Sequence, residues 1–352
     1  PMLHYTFPYV EDFQCLAGAC PDSCCKGWEV VIDEPTLQTY RQCSNPIGDR
    51  IRNALTQNND QEWIFQNQKN GNCPFWNAQK LCDLQLQADD TLLCDTCRIF
   101  PRIPQNYTIF TEHVLSLACP EAAKRVLMQK EPFQAIFSYQ DDSPAVPKTE
   151  LPYSLEWMAC LRETRIILLQ LLQDTSIPLA DALCYGLHYV QQLQDWIEEK
   201  TDTFPQIQST AAKPDFLYRE AILHMYNNME WMTPEWADWI QQIHLHPVTQ
   251  TDLQAFQVIA DDLLPAFRNF CSYYLYLYWL QAIDHGNVLL QYQKLLAALY
   301  EIAIISAWKL RETNFYTLSD CIQIVQLYAK EVMHDAENLE KLEITLVENG
   351  QQ

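Results

Sequence analysis

The second half of the chain carries apolar residues at helical spacing. Between Ser154 and Leu172 the apolar side chains return every three or four residues, and Arg162, Glu163 and Arg165 stand between them. This period matches one face of an α-helix. The pattern therefore predicts an amphipathic helix over this range.

More helices follow along the same half. Ser176 and Pro178 are residue types favoured at a helix cap and in a first turn, and they predict a second helix that runs to about Lys200. Gly286 and Thr317 are further signals for helix starts. Additional helices are predicted at about 215–229, 250–284, 287–311 and 317–340.

The first third of the chain is patterned less regularly. Strand-like segments run from Trp28 to Ile32 and from Tyr107 to Phe110, and a helix is predicted from Pro35 to about Thr56. Loops are expected to dominate around the cysteines in this part of the chain.

A polar segment punctuated by prolines, residues 138–151, separates these two halves and is typical of a linker. We therefore predict a mainly α fold, in which an irregular cysteine-rich metal-binding domain precedes an all-helical domain. The predicted divisions are a cysteine-rich domain at 1–137, a linker at 138–151, a helical domain at 152–342 and a flexible tail at 343–352.

Composition and charge narrow the classes of function. Apolar residues make up 48% of the 352 positions and charged residues 19%, which is typical of a packed globular protein. The formal net charge is −22 and no basic stripe occurs, so a nucleic-acid partner is not expected. The acidic surface would attract a lysine-rich protein and repel an anionic membrane, or it serves solubility alone.

The N-terminal residues and the longest apolar stretch indicate the cellular location of the protein. No basic start followed by an apolar run occurs at the N-terminus, so no secretory signal is predicted. The stretch from Asn269 to Ile283 is uncharged and apolar, but it is shorter than the roughly 20 residues that span a bilayer. We expect a soluble, cytoplasmic protein without a membrane partner.

Cysteines are concentrated in the first third of the chain. Ten of the fourteen fall there, and four of them stand within eleven residues. Short spacing allows neighbouring thiolates to reach one ion or cluster with little loop-closure entropy. The ten are Cys15, Cys20, Cys24, Cys25, Cys43, Cys73, Cys82, Cys94, Cys97 and Cys119.

Several interpretations of these cysteines stand side by side. Disulfides are disfavoured in a reducing compartment. Structural zinc suits the spacing of Cys20 to Cys24 and of Cys94 to Cys97. An iron–sulfur cluster also takes four thiolates and tolerates irregular spacing, and the excess of thiols over histidines favours it. A buried free cysteine that only packs is the remaining alternative, and it suits Cys43 and the four late cysteines.

The same residues resemble those of the flagellin lysine N-methylase family. Several separate motifs arrive in order, and the resemblance continues into the helical half, so it covers nearly the whole chain. The motifs are the run from Phe13 to Asp33 with Cys24-Cys25-Lys26-Gly27-Trp28, then Cys73-Pro74-Phe75, Leu81-Cys82, Cys97 to Arg102, Arg268 to Tyr274 and His334 to Glu340.

This resemblance implies a bacterial enzyme that methylates lysine ε-amines on flagellin, with S-adenosylmethionine and an iron–sulfur cluster, of the 4Fe-4S type, as cofactors. Zinc stays the alternative metal. Cys94 falls outside the family pattern. The metal ligands that the resemblance implies are Cys15, Cys20, Cys24, Cys25, Cys73, Cys82, Cys97 and Cys119, more than one four-ligand cluster needs.

The methyl-donor site and the chemistry stay open at this level. The chain has seven glycines and no glycine-rich turn after a strand, so a site for S-adenosylmethionine must be built differently from dinucleotide folds. The radical-enzyme spacing C-x₃-C-x₂-C begins at Cys20 and Cys24 but meets Gly27 at its third position.

No catalytic residue is assigned from the sequence. The aromatic stripe from Tyr273 to Trp279 could receive a cation, although such a stripe is more often helix core. The alternative function is a non-enzymatic metal-binding or electron-carrying module that docks a protein partner.

Overall fold

The computed structural model describes residues 2–143, 146–209 and 224–350. The helix predicted at 215–229 lies largely outside these residues. Of its described part, residues 224–225 are α-helical and a short 3₁₀ turn follows at Tyr226–Asn228. Described strands, numbered in chain order, are β1 Leu3–Thr6, β2 Leu55–Gln57, β3 Trp63–Phe65, β4 Arg102–Asn106, β5 Phe110–Leu115 and β6 Ile136–Gln140.

The described helices make the fold mainly α, as predicted. They are α1 Pro8–Glu11, α2 Glu34–Gln42, α3 Pro46–Ala54, α4 Asp83–Ala88, α5 Asp95–Ile99, α6 Pro120–Leu127, α7 Leu155–Gln173, α8 Leu179–Ile197, α9 Pro234–Leu245, α10 Gln250–Ala260, α11 Leu264–Tyr278, α12 Val288–Thr313, α13 Leu318–Tyr328 and α14 Ala336–Gly350.

Four strands form a sheet in the order β4, β5, β1, β6. β1 runs parallel to β5, with Leu3 opposite Phe110, and the outer strands pair in antiparallel fashion. The strand predicted from Tyr107 to Phe110 is wrong for residues 107–109, which form the β4–β5 turn with Thr108 at φ 70°. Strand β6 also takes up residues 138–140, which we had expected in the linker.

A smaller unit with its own core precedes β4. It combines α2 and α3 with the β2–β3 hairpin around Leu37, Tyr40 and Phe65. The single helix predicted from Pro35 to Thr56 is two helices, because the Asn45 side chain caps α3 by accepting a hydrogen bond from Gly48 N–H. The strand predicted from Trp28 to Ile32 is reduced to one bridge between Val31 and Ile64.

The helical half confirms several predicted helices and corrects others. α7, α8 and α12 match the predicted ranges within a few residues. The helix predicted at 250–284 is divided into α10 and α11, because Pro265 lacks an N–H and therefore takes a place in a first turn. α9, with Trp236 and Ile240 on its buried face, had not been predicted.

The end of the chain also differs from expectation. The helix predicted at 317–340 consists of α13, a π-helical turn at Ala329–Met333 and the start of α14. α14 continues to Gly350, so most of the predicted flexible tail is helical, and Leu346 is buried in the main core.

The main hydrophobic core includes residues from both sides of segment 138–151. Phe7, Phe110 and Val114 belong to the same buried cluster as Leu161 and Tyr273. The Tyr273 hydroxyl donates a hydrogen bond to the carbonyl of Leu115 at 2.8 Å. The predicted division into a metal-binding domain and a helical domain stays a prediction, but the core is continuous across it.

One described helix, α12, is long and apolar enough to cross a membrane by length and composition. Of its most apolar 18-residue window, 67% is buried inside the fold.

Candidate metal centre and the adjoining cleft

No disulfide joins any of the fourteen cysteines, all of which lie in the described part of the chain. The cysteine-rich loops are therefore not cross-linked, and their sulfurs are chemically available as ligands. Cys271 and Cys321 are fully buried in the main core of the helical half, where they pack as small apolar side chains.

The first group of thiols comprises Cys15, Cys20, Cys24 and Cys119. Cys119 stands at the cap of α6. Burial, together with the nearby thiols of Cys20 and Cys15, raises the pKa of Cys119 to about 11. The pKa of Cys24 is also raised, first by its hydrogen bond with Cys25, then by burial, and also by Cys15 and Cys119. Burial raises the pKa of Cys20, and the thiols of Cys15 and Cys25 act in the same direction, so this group also lies near Cys25.

The second group comprises Cys25, Cys73, Cys82 and Cys97. Cys73 N–H donates to the carbonyl of Cys25 at 2.9 Å, and a backbone bridge joins Trp76 to Cys82. Burial, with Cys25 and Cys82 nearby, raises the pKa of Cys73 to about 12. The pKa of Cys97 is raised first by its hydrogen bond with Cys94, and Cys25 and Cys73 act in the same direction.

Cys94 also lies near the second group, although it is not part of the family motif. Its side chain is fully buried in the smaller core. A hydrogen bond from the Cys97 thiol lowers the pKa of Cys94 to about 7. The sequence did hold a signal, because Cys94 and Cys97 have the C-x₂-C spacing of a metal knuckle.

The donor chemistry of both groups suits zinc or an iron–sulfur cluster, since both take thiolates. Among residues 2–143, 146–209 and 224–350, no three His, Cys, Asp or Glu side chains are already arranged to hold a metal ion. Binding would therefore have to draw the sulfurs of a group together. The assignment of the eight cysteines as ligands stays a prediction.

A buried ion pair anchors the first cysteine loop to the helical half. Asp22, between Cys20 and Cys24, accepts hydrogen bonds from Lys330 at 3.0 and 3.2 Å. The Gln326 amide donates to the same carboxylate at 2.9 Å. Because the Lys330 side chain is only 4% exposed, this contact fixes the loop against α13 and the π-helical turn.

His334 directly follows the π-helical turn that carries Lys330. Its Nε2 atom hydrogen-bonds with Ser116 Oγ at 2.5 Å, and Cys119 N–H donates to the Ser116 carbonyl at 3.2 Å. The Trp28 ring stands edge-on to the imidazole, with 6.3 Å between the ring centroids. Burial lowers the pKa of His334 to about 4, so the ring is neutral near pH 7.

A cleft of about 600 Å³ opens beside His334, within the range of small-ligand sites. Three tyrosines line it, Tyr107, Tyr153 and Tyr278, and the carboxylate of Asp284 is part of its wall. Aromatic and acidic residues together in a lining favour a positively charged ligand. Because the His334 imidazole is neutral, it adds no positive charge that would repel such a ligand.

Most of the aromatic stripe named from the sequence lies outside the cleft. Of the aromatic stripe, Tyr278 lines the cleft, whereas Tyr273, Tyr274 and Trp279 are fully buried in the main core. These three are core residues. A second cleft of about 470 Å³ is lined by side chains of both charges: Glu121, Lys124, Arg125, Lys130 and Glu131.

Comparison with known proteins gives a family match and several relatives. Residues 165–352 match the family model described as the FliB lysine N-methylase C-terminal domain. The chain is 34% identical over 124 residues to the flagellar biosynthetic protein FliU of Salmonella muenchen, which is 34% of this chain and 73% of that relative.

Two further relatives carry the name lysine-N-methylase, one from Salmonella choleraesuis and one from Salmonella typhimurium. Each is 34% identical over 124 residues, and the match covers 34% of this chain. The chain thus spans 31% of the length of each of these two proteins. No solved structure matches this chain.

Proposed function

The chain belongs to the FliB lysine N-methylase family, a family of lysine methyltransferases, and we propose that it methylates lysine ε-amines of flagellin in the cytoplasm. S-adenosylmethionine is the proposed methyl donor. An iron–sulfur cluster, of the 4Fe-4S type, is the proposed inorganic cofactor on the N-terminal cysteines, with zinc as the alternative metal.

The observation that carries this proposal is the position of the cleft relative to the matched region. The cleft wall from Leu277 to Asp284 and from Met333 to Leu339 falls inside the family match at 165–352. The rest of the wall includes Ile103 and Gln105 of β4 and Tyr107 of the β4–β5 turn. The family-matched region and the N-terminal sheet therefore meet at one cleft.

The choice of flagellin rests on relatives and on charge. One relative is named a flagellar biosynthetic protein. The formal net charge of −22 also favours a lysine-bearing partner, because opposite surface charges accelerate association.

The chemistry of the cleft suits methyl transfer from a cationic sulfonium to a lysine amine. When bound, S-adenosylmethionine supplies an electrophilic methyl group on a sulfonium sulfur. The lysine amine must be neutral to attack, so the bond from sulfur to methyl breaks as the bond from nitrogen to methyl forms, and one proton leaves the amine. Asp284 is the exposed carboxylate in the wall that can accept that proton and relay it to water.

The aromatic side chains and His334 have supporting roles in this proposal. Tyr107 and Tyr153 line the cleft as aromatic contacts for the cationic sulfonium and for the lysine side chain. The Tyr278 ring already has Lys294 Nζ at 4.3 Å from its centre. Burial keeps His334 uncharged. A protonated imidazole at this point would repel the sulfonium, so its neutrality favours binding of the methyl donor.

Incubation of the anaerobically purified chain with methyl-labelled S-adenosylmethionine and flagellin tests the proposal. We expect labelled methyllysine by mass spectrometry. Asp284→Asn should lower the rate at least tenfold, whereas Asp261→Asn, an exposed carboxylate on a 3₁₀ turn outside the cleft lining, should not. A folded, metal-loaded chain that forms no methyllysine rejects the enzyme and favours a non-enzymatic metal-binding module.

A further inference from the structure

We propose that the ion pair of Lys294 and Glu343 sets the charge behind the cleft, and that Glu343 thereby makes the cleft prefer a positively charged methyl donor to its neutral product. This inference rests on the proposed function, in which the cleft binds S-adenosylmethionine. It adds a specificity-determining residue outside the cleft lining.

Lys294 is a fully buried lysine within the long apolar helix α12. Its side chain is 0% exposed, and its Nζ atom lies 4.3 Å from the centre of the Tyr278 ring. The Tyr278 hydroxyl donates a hydrogen bond to the carbonyl of Met333 at 3.4 Å, and both of these residues line the cleft. The ammonium group of Lys294 therefore lies one side-chain layer behind the cleft wall.

Glu343 on α14 is the partner of this buried ammonium group. Its Oε1 atom accepts a hydrogen bond from Lys294 Nζ at 2.5 Å. Burial lowers the pKa of Lys294, whereas the hydrogen bond and the charge of Glu343 act in the opposite direction. The pair has no net charge as a unit, and Glu343 is its partly exposed member, with 35% of the side chain accessible to solvent.

The charge of Glu343 also acts on the aromatic wall of the cleft. Burial raises the pKa of Tyr278, and the carboxylate of Glu343 raises it further. Charges interact over longer distances inside a protein than in water, because the effective dielectric constant is lower there. Removal of one member of the pair should therefore change the electrostatic potential at the cleft wall.

The methyl donor and its product differ by one positive charge. S-adenosylmethionine carries a sulfonium, and transfer of its methyl group leaves the neutral thioether of S-adenosylhomocysteine. An ammonium group without its partner behind the wall would repel the sulfonium but not the thioether. Because Glu343 cancels this repulsion, the cleft can retain the charged donor and release the neutral product.

A purely structural role of the pair predicts a different result. If the pair only joined α12 to α14, loss of either partner would weaken the binding of both ligands alike. If the pair sets the charge, the two substitutions have opposite effects. Glu343→Gln leaves a positive charge and weakens binding of the sulfonium, whereas Lys294→Met leaves a negative charge and strengthens it.

Calorimetric binding of the two ligands to the full chain tests the inference. The measurements are made at pH 6.5, well below the ordinary lysine pKa near 10.4. The quantity compared is the Kd of S-adenosylhomocysteine divided by that of S-adenosylmethionine, because a change in cleft shape affects both values. Glu343→Gln should lower this ratio about fivefold, and Lys294→Met should raise it by a similar factor.

Matched controls separate this effect from the loss of any buried or surface charge. Lys309 lies on the same helix as Lys294, with its Nζ atom 4.9 Å from the centre of the Trp239 ring, which is not part of the cleft lining. Glu348 is an exposed carboxylate on the same helix as Glu343. Lys309→Met and Glu348→Gln should leave the ratio unchanged.

Folding is checked by circular dichroism, and Glu343→Gln alone decides where Lys294→Met does not fold. An unchanged ratio in folded Glu343→Gln would overturn the inference, even if methyllysine forms on flagellin. The expected change in the ratio without any methyllysine formation would reject the proposed function alone. An unmodified chain that binds neither ligand would reject both.

Discussion

Arg165 on α7 holds Glu112 on β5 through two charge-assisted hydrogen bonds, of 2.8 and 2.5 Å, inside the main core. Their side chains are 6% and 3% exposed. The guanidinium carbon also lies 4.0 Å from the centre of the Tyr276 ring. The sheet and the helical half are thus joined by a buried pair as well as by apolar packing.

Breaking this pair should destabilise the fold strongly. Glu112→Ala leaves the Arg165 charge buried without its partner, which costs about 3–5 kcal/mol. Urea unfolding should show this loss. Glu337→Ala is the control, since the Glu337–Lys341 pair is exposed and such pairs contribute at most about 1 kcal/mol. Equal effects of the two substitutions would show that the buried pair has no special role.

Glu301 should make stability fall as the pH rises. The carboxyl is fully buried on α12 near Tyr226 and Tyr328, and burial raises its pKa to about 8. Between the unfolded value near 4.5 and the folded value, the folded state binds more protons, so stability is full below about pH 4.5 and is lost toward pH 8. Each pKa unit is worth about 1.4 kcal/mol.

The measurement is urea unfolding at pH 6 and pH 8. Glu301→Gln should remove much of the loss between these values, whereas Glu312→Gln, an exposed carboxylate on the same helix, should not. An unchanged pH dependence in Glu301→Gln would contradict the assignment.

His334 should have the opposite effect on stability from Glu301, because it should make the fold less stable as the pH falls. Its folded pKa is lowered to about 4 by burial, below the ordinary value near 6.5. The unfolded state binds the proton more readily in this window, so stability is present above about pH 6.5 and is lost as the pH falls toward 4. His334→Gln should weaken this acid sensitivity, as followed by thermal melting at pH 4.5 and 7. His244→Gln, an exposed histidine at the end of α9, is the control.

The Asp22–Lys330 pair should govern how firmly the first cysteine loop is held. Lys330→Met removes both hydrogen bonds to Asp22, and the loop should release metal to a chelator several-fold faster. Lys309→Met is matched to it, because Lys309 pairs with Asp320 at 3.6 Å away from the cysteines. Equal release rates in the two variants would show that the pair does not stabilise the loop.

Local signals in the sequence determined the regular helices and the residue types of the candidate site. The apolar period over Leu155–Gln173 and the start signal at Gly286 were sufficient, because a helix satisfies its backbone hydrogen bonds within one segment. The concentration of thiols before residue 120 was likewise visible. Pro265 was also a visible signal for the break between α10 and α11, although the periodic pattern around it predicted one helix.

Tertiary structure decided which of these residues meet. The strand from Phe110 pairs with Leu3, the Glu112 carboxylate meets Arg165, and Cys73 N–H reaches the Cys25 carbonyl. Such partners are separated by long stretches of chain, and their approach depends on the packing of whole cores. Composition supplied the thiols, but only the packing of the chain decides which of them lie near one another, as the backbone hydrogen bond from Cys73 to Cys25 shows.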